Sequence, residues 1–218
     1  MKLCRAPQSC SLLLLLACSR PDAQLDASLY QDDGAGFGLI RPGIEVLLED
    51  SIHLVAGRRV GLITNQTGVD SSGRSSIDRI HEHPDVDLVA LFAPEHGIRG
   101  TADPGATIAD DVDVETGVPI YSLYGAVLSP TPEMLDGIDV LLVDYQDIGA
   151  RYWTYVSTMT LAMESAAEQG IPVVVLDRPN PIGGAVQGNV LDPAFATFVG
   201  RYPLAMRHGM TLGELARY

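Results

Sequence analysis

Four short polar stretches hold most of the residues able to do chemistry: Asn65-Gln66-Thr67-Gly68, Pro94-Glu95-His96-Gly97, Asp144 through Arg151, and Asp177-Arg178-Pro179-Asn180. Glu95 follows a proline at a sharp turn, close in sequence to apolar Phe92 and Ile98. Such surroundings disfavour a charged carboxylate and suit a proton donor, although the same place suits a carboxylate that braces its loop. Asp144 and Asp147 form a second acidic group, with Gln146 between them. Two carboxylates facing each other across a cleft are what cleavage of a glycosidic bond requires, one protonating the leaving oxygen and the other acting at the anomeric carbon. Either aspartate could instead cap the helix expected to begin near Arg151. His96 could orient a neighbour, bind a ligand or fill the turn, and binding is the reading taken. Arg99, Arg151, Arg178 and Arg207 stand out in a chain with few cations, because a guanidinium fork matches a carboxylate or phosphate in two-point fashion.

The elements that must position these groups follow from hydrophobic periodicity. Val140 to Val143 is an unbroken β-prone apolar run, which marks a strand covered on both faces. Arg59 to Thr64, Val86 to Phe92 and Pro172 to Leu176 have the same character, and Ile120 to Leu123 reads as a further short strand. Helices are expected from Gly43 to a stop at Gly57, from Ser75 to His83, and after Thr131-Pro132-Glu133, which supplies a cap and a first-turn proline. A long helix follows the central strand, its apolar face read from Tyr152, Tyr155, Val156, Met159, Met163 and Ala166, and Gly170 ends it. Thr211, with Glu214 three residues on, opens a last helix in which the sequence stops. Strand and helix alternate throughout, so the expected fold is α/β, a Rossmann-like, doubly wound and mainly parallel sheet. Each polar stretch follows a strand, which brings them all to the carboxyl rim, where such sheets bind ligands.

Several function classes are excluded by inventory. No glycine fingerprint opens the first strand-turn-helix unit, so no dinucleotide cofactor is expected, and neither His96 nor His208 sits in a metal-binding spacing with the aspartates. Lys2 is the only lysine in the sequence, which removes Schiff-base and phosphate-loop chemistry. The formal net charge of −14 gives no electrostatic attraction to nucleic acid or anionic lipid. Residues 1–18 read as a signal peptide, and Leu15-Leu16-Ala17-Cys18 resembles a lipobox with Cys18 as the lipidated residue. Residues 19–42 read as a flexible tether and 43–218 as the domain. The expected location is outside the cytoplasm, on a bacterial membrane through a lipid anchor. Cys4, Cys10 and Cys18 all fall in the leader, which leaves the domain no disulfide or thiol chemistry.

Six motifs carry a more specific resemblance: GLITNQTGVD (61–70), LFAPEHGIRG (91–100), PIYSLYG (119–125), DYQDIGARYWTYVSTM (144–159), LDRPNPIGG (176–184) and RHGMTLGELA (207–216). Together they resemble the bacterial DUF1343 family, which includes exo-β-N-acetylmuramidases of the NamZ type. The resemblance implies a Rossmann-like first domain, a smaller C-terminal domain missing from this chain, and a catalytic cleft between the two. It implies release of N-acetylmuramic acid from the non-reducing end of peptidoglycan fragments, with Glu95 as the acid. Asn65, Gln66 and Asn180 would then suit the sugar hydroxyls and acetamide, a rim arginine the lactyl carboxylate, and His208 the substrate. Where the family usually reads V-E-G-P, this chain has Val186-Gln187-Gly188-Asn189. Two alternatives from other classes are a non-catalytic muropeptide-binding lipoprotein and a metal-dependent hydrolase.

Overall fold

In the computed structural model the described residues are 40–99 and 110–218, so the leader, Cys18 and most of the tether lie outside them. Six strands form the main sheet: β1 (Arg59–Thr64), β2 (Asp87–Ala93), β3 (Asp111–Val112), β4 (Pro119–Ser122), β5 (Val140–Asp144) and β6 (Val173–Val175). Their order is β3-β4-β2-β1-β5-β6. All neighbours run parallel except the short β3, which lies antiparallel on the edge. The chain therefore winds outward from β1 through β2 to β4, then returns to the other side of β1 at β5. The switch point of this doubly wound sheet lies between β1 and β5, where Thr64 is level with Asp144.

Both faces are covered, as the continuous apolar strands require. On one face Ile63, Phe92, Leu141 and Val143 pack with α4 (Tyr155–Glu168) and α5 (Leu212–Leu215). On the other, Val60, Leu62, Leu91, Val140 and Leu142 pack with α1 (Gly43–Asp50) and α2 (Ser76–His81). A register shift between β1 and β2 after Val60 lets Leu88 join the second core and Ala90 the first, where strict alternation would place them together. A short α3 (Pro132–Leu135) precedes β5, with Thr131 as its cap. The helix α5 opens on a complete capping box made by Thr211 and Glu214, as the sequence pattern implies.

Three features depart from the expectations. The first helix ends at Asp50, not at Gly57, and a separate 3-10 turn spans Ile52–Leu54. The long helix begins at Tyr155, so Tyr152 is not on its apolar face and is exposed. The segment after Gly183 contains a second small sheet, β7 (Gln187–Val190) antiparallel to β8 (Ala205–Arg207). Its strands are short and β7 is exposed throughout, so no hydrophobic period announces them. Among the described residues no helix is long and apolar enough to cross a membrane.

Candidate functional site

The carboxyl ends of β4, β2, β1, β5 and β6 lie in that order along one rim, and the loops that follow them bring most of the candidate residues there. At the switch point, Thr64 Oγ1 donates to the Asp144 carbonyl at 2.6 Å, and Gln146 N–H donates to Thr67 Oγ1 at 2.8 Å. The loop after β1 is thereby stitched to the loop after β5. Gly68 must be glycine here, since a Cβ would stand 2.7 Å from the Asp144 carbonyl oxygen and closer still to Thr64 Oγ1.

Asp144 is completely buried. Arg178 Nε donates to its Oδ1 at 2.7 Å and Ser76 Oγ to its Oδ2. Burial pushes its carboxyl above the usual range, against the opposing pull of Arg178 and Ser76. Both oxygens are engaged within the protein and none of the residue is exposed, so in this structure Asp144 serves as a brace. Arg178 is committed as well, since its Nη2 donates to the Val69 carbonyl at 2.7 Å. This pair braces the loops after β1, β5 and β6.

The other two arginines expected to bind substrate also make contacts within the protein. Arg99 forms ion pairs with Asp113 at 3.1 Å and Glu115 at 3.3 Å, in the β3–β4 connection, and with Asp78 of α2 at 3.5 Å. Arg151 Nη1 donates to the carbonyls of Asn189 (2.7 Å) and Leu204 (2.6 Å), clamping the β7–β8 hairpin. Arg207 differs, since its buried Nε has no partner while its Nη1 donates to Gln187 at 3.1 Å. The two asparagines are spent on the protein. Asn180 Nδ2 donates to the Met210 carbonyl at 2.8 Å, and Asn65 is 2% exposed. Gln66 is exposed at the tip of its loop.

Glu95 accepts a hydrogen bond from Thr154 Oγ1 at 3.0 Å, and the Tyr124 hydroxyl also bonds to it. Two of its partners are thus hydroxyls, while Phe92 and Ile98 are buried in the cores on opposite faces of the sheet. Thr154 stands at the start of α4 but makes no cap, its hydroxyl being turned to Glu95 instead. The next residue, Tyr155, is buried and accepts from Asn65 Nδ2 at 2.7 Å. Asn65 is held in turn, its Oδ1 accepting from both Thr67 N–H and Thr67 Oγ1. Burial, reinforced by the negative charges of Glu95 and Asp147, raises the Tyr155 hydroxyl to about 12. Tyr155 therefore keeps its proton at physiological pH and stands within electrostatic reach of both carboxylates.

Asp147 is buried, and its charge is felt at the Tyr155 hydroxyl. Its Oδ2 accepts from Gly149 N–H at 2.7 Å and lies 3.3 Å from His208 Nε2, whereas its buried Oδ1 has no partner. It makes no contact with α4 as a cap. Gly149 itself takes a positive φ of 80°, and a Cβ there would meet Asn180 Oδ1 at 2.4 Å. Glu95 and Asp147 follow strands that flank β1, so their loops start about 10 Å apart, at roughly 4.8 Å per strand. That spacing leaves room for a sugar ring between them.

His96 is the one non-glycine among the described residues with a positive φ, 75°, which aims its ring toward Trp153 at 6.5 Å between centroids. Trp153 packs edge-on against Tyr155 at 5.4 Å, and its buried Nε1 has no partner. Tyr124, Trp153, Thr154 and Tyr155 are thus site residues that the sequence reading left out. Tyr155 gave a signal, but its 3.6-residue spacing assigned it wholly to the core. Among the described residues no three His, Cys, Asp or Glu side chains are grouped to hold a metal ion.

Fold and site together define a Rossmann-like α/β domain with an acidic, hydroxyl-lined and aromatic rim site in place of a nucleotide fingerprint. Residues 60–218 match the family described as exo-beta-N-acetylmuramidase NamZ, N-terminal, and the chain belongs to that family. It is 53% identical over 178 residues to the peptidoglycan beta-N-acetylmuramidase NamZ of Bacillus subtilis (strain 168), an alignment covering 81% of this chain and 43% of that protein. Crystal structures of two DUF1343 family proteins from Bacteroides fragilis NCTC 9343 share the fold. The first has a TM-score of 0.75 at 52% identity and the second 0.69 at 36%, over 81% of this chain and 44% and 45% of theirs. The chain spans less than half the length of these relatives.

The Asp144–Arg178 assignment has a direct consequence. Arg178→Met leaves a buried carboxylate uncompensated and should destabilise the domain by about 3–5 kcal/mol, read as a lower urea midpoint. Adding Asp144→Leu should recover part of the loss; equal midpoints for wild type and Arg178→Met would show that the pair braces nothing.

Proposed function

We propose that this chain carries the catalytic rim of a glycoside hydrolase that releases N-acetylmuramic acid from the non-reducing end of peptidoglycan fragments. The observation that carries the reading is the pair of carboxylates, Glu95 and Asp147, that both act electrostatically on the Tyr155 hydroxyl. Glu95 is held by two hydroxyls, and Asp147 has one buried oxygen unused. The activity in the name of the Bacillus relative supports the same substrate class.

In this mechanism Glu95 donates its proton to the departing glycosidic oxygen, and Thr154 and Tyr124 fix the carboxyl so that one oxygen faces the bond. Asp147 assists the water, or the substrate acetamide, at the anomeric carbon. Tyr155, within electrostatic reach of both, is a neutral hydroxyl that keeps its proton throughout. Trp153 and His96 offer aromatic surface to the sugar, with the Trp153 N–H as a donor. Arg207, the one of the four singled-out arginines with a buried unpartnered N–H, is the cation best suited to the lactyl carboxylate.

In the full-length protein Glu95→Gln should lower kcat on a chromogenic muramic acid glycoside by about 100-fold or more with substrate binding retained. Near-normal turnover would remove Glu95 from the role. The accompanying proposal for location is export with lipidation at Cys18. Mass spectrometry of the mature N-terminus should find a diacyl- or triacylglyceryl cysteine, and an unmodified terminus beyond Cys18 would reject it.

A further inference from the structure

Next to Glu95 the rim continues into a recess beside α4. The Tyr124 hydroxyl bonds to Glu95, and the Tyr124 ring lies 6.3 Å from that of Phe198, tilted by 50°. Phe198 in turn lines a cavity of about 410 Å³ together with Leu128, Leu161, Ala196, Thr197 and Arg201. That size falls within the roughly 300–1,000 Å³ of small-molecule sites. Leu161 follows Thr154, whose hydroxyl also bonds to Glu95, by two turns on the same face of α4, so the recess extends about 10 Å along the helix from the carboxylate. Phe198 is held by its neighbours. It stands in a tight turn where Thr197 and Gly200 exchange backbone hydrogen bonds at 2.9 and 3.1 Å. Arg201 ties that turn to α4, pairing with Glu164 at 3.1 Å and donating to Thr160 Oγ1 at 3.3 Å. Tyr124 and Phe198 are each only half-buried, so both keep surface open to a ligand.

Resting on the reading of Glu95 as the acid, we propose that this recess seats the leaving sugar, the one that departs when N-acetylmuramic acid is released, with Phe198 as its stacking surface. A general acid must lie against the oxygen that leaves, so the first residue of the leaving group sits beside Glu95 and meets Tyr124 and Phe198 next. The apolar C–H face of a pyranose ring fits an aromatic side chain. The Thr197 hydroxyl, which accepts from Val199 N–H at 3.2 Å, keeps its own proton to donate to a sugar hydroxyl or acetamide. Among the described residues the one charge in the walls is Arg201, already paired with Glu164, and this favours a neutral N-acetylated sugar over an ionised peptide. Binding energy gathered in the recess, away from the reacting carbon, holds the glycosidic oxygen at Glu95, so a leaving group that fills it is cleaved better than one that does not.

The test measures kcat/KM of the full-length protein on two substrates. One is the disaccharide of N-acetylmuramic acid β-linked to N-acetylglucosamine; the other is N-acetylmuramyl β-fluoride, whose leaving group is a single atom that cannot reach the recess. Phe198→Leu and Phe198→Ala should lower kcat/KM on the disaccharide about tenfold and leave the fluoride within about twofold of wild type, whereas Phe198→Tyr should retain both. Equal losses on the two substrates, the result if Phe198 only supports the fold or if the rest of the full-length chain fills the recess, overturn the proposal. An unchanged rate on the disaccharide does the same. So does a loss confined to substrates whose leaving part carries a peptide, which would give the recess to the peptide. A wild type that turns over neither substrate refutes the hydrolase reading and this proposal with it, while an active wild type with an insensitive Phe198 refutes the proposal alone. If Phe198→Ala does not fold, the Leu and Tyr pair carries the same comparison.

Discussion

A charge taken completely out of water at the end of β5 organises the rim. Asp144 is tolerated there because Arg178 comes in from the loop after β6 and Ser76 from the start of α2, and because Arg178 also reaches the Val69 carbonyl in the loop after β1. Burying such a pair costs heavily in desolvation, and the return lies in specificity of arrangement more than in stability. Three loops that are distant in sequence have one mutual position that satisfies every buried polar atom of this network. The backbone crossing from Thr64 to Asp144, and the absence of room for a side chain at Gly68, make that position tighter.

Upon this frame the chemistry occupies the neighbouring stretch of rim. Asn65 is held by Thr67, Tyr155 by Asn65 and Tyr145, and the Tyr155 hydroxyl feels the charges of both Glu95 and Asp147. Almost every polar side chain near the site is thus fixed by another, which is how a constellation of this kind is kept in a reactive geometry without a ligand. The exceptions are informative. Among the described residues Asp147 Oδ1, Trp153 Nε1, Arg207 Nε and His208 Nε2 are buried and without a hydrogen-bond partner, and such atoms are uncommon in folded domains. A larger cavity of about 740 Å³ lies elsewhere, between α1 and β6, lined by Val46, Leu54, Leu176 and Gly184 among others. It includes Arg178 and Asn180, but neither Glu95 nor Asp147, and its walls are mainly apolar.

Much of the fold was legible because buried parallel strands announce themselves as apolar runs. The strands β1, β2, β5 and β6 could be placed to within a residue or two, and the rim followed from the alternation of strand and helix. The hairpin β7–β8 could not be read, since Gln187–Val190 is exposed along its whole length and has no period to detect. The site was legible in composition but not in detail. Rare polar residues at strand ends marked the right loops. Sequence could not distinguish an arginine that binds a substrate from one that compensates a buried aspartate, as Arg178 does for Asp144. Nor could it show that Thr154 turns away from its capping role or that Tyr155 has its hydroxyl at the centre of the site. Those facts depend on which loops meet, and only the packed sheet decides that.

The central claim is that the rim around Glu95, Tyr155 and Asp147, and not the larger cavity beside β6, receives the acidic sugar. Trp153 is the single tryptophan of these 218 residues and packs against Tyr155, so its indole resonance, assigned by its loss in Trp153→Phe, reports on this place. Titration of N-acetylmuramic acid into the full-length protein, followed by Trp153 fluorescence and its indole N–H resonance, should give a saturable change in both. Saturable binding by calorimetry with Trp153 unmoved, and with backbone shifts gathered at Leu176, Gly184 and Gly209, would contradict the account.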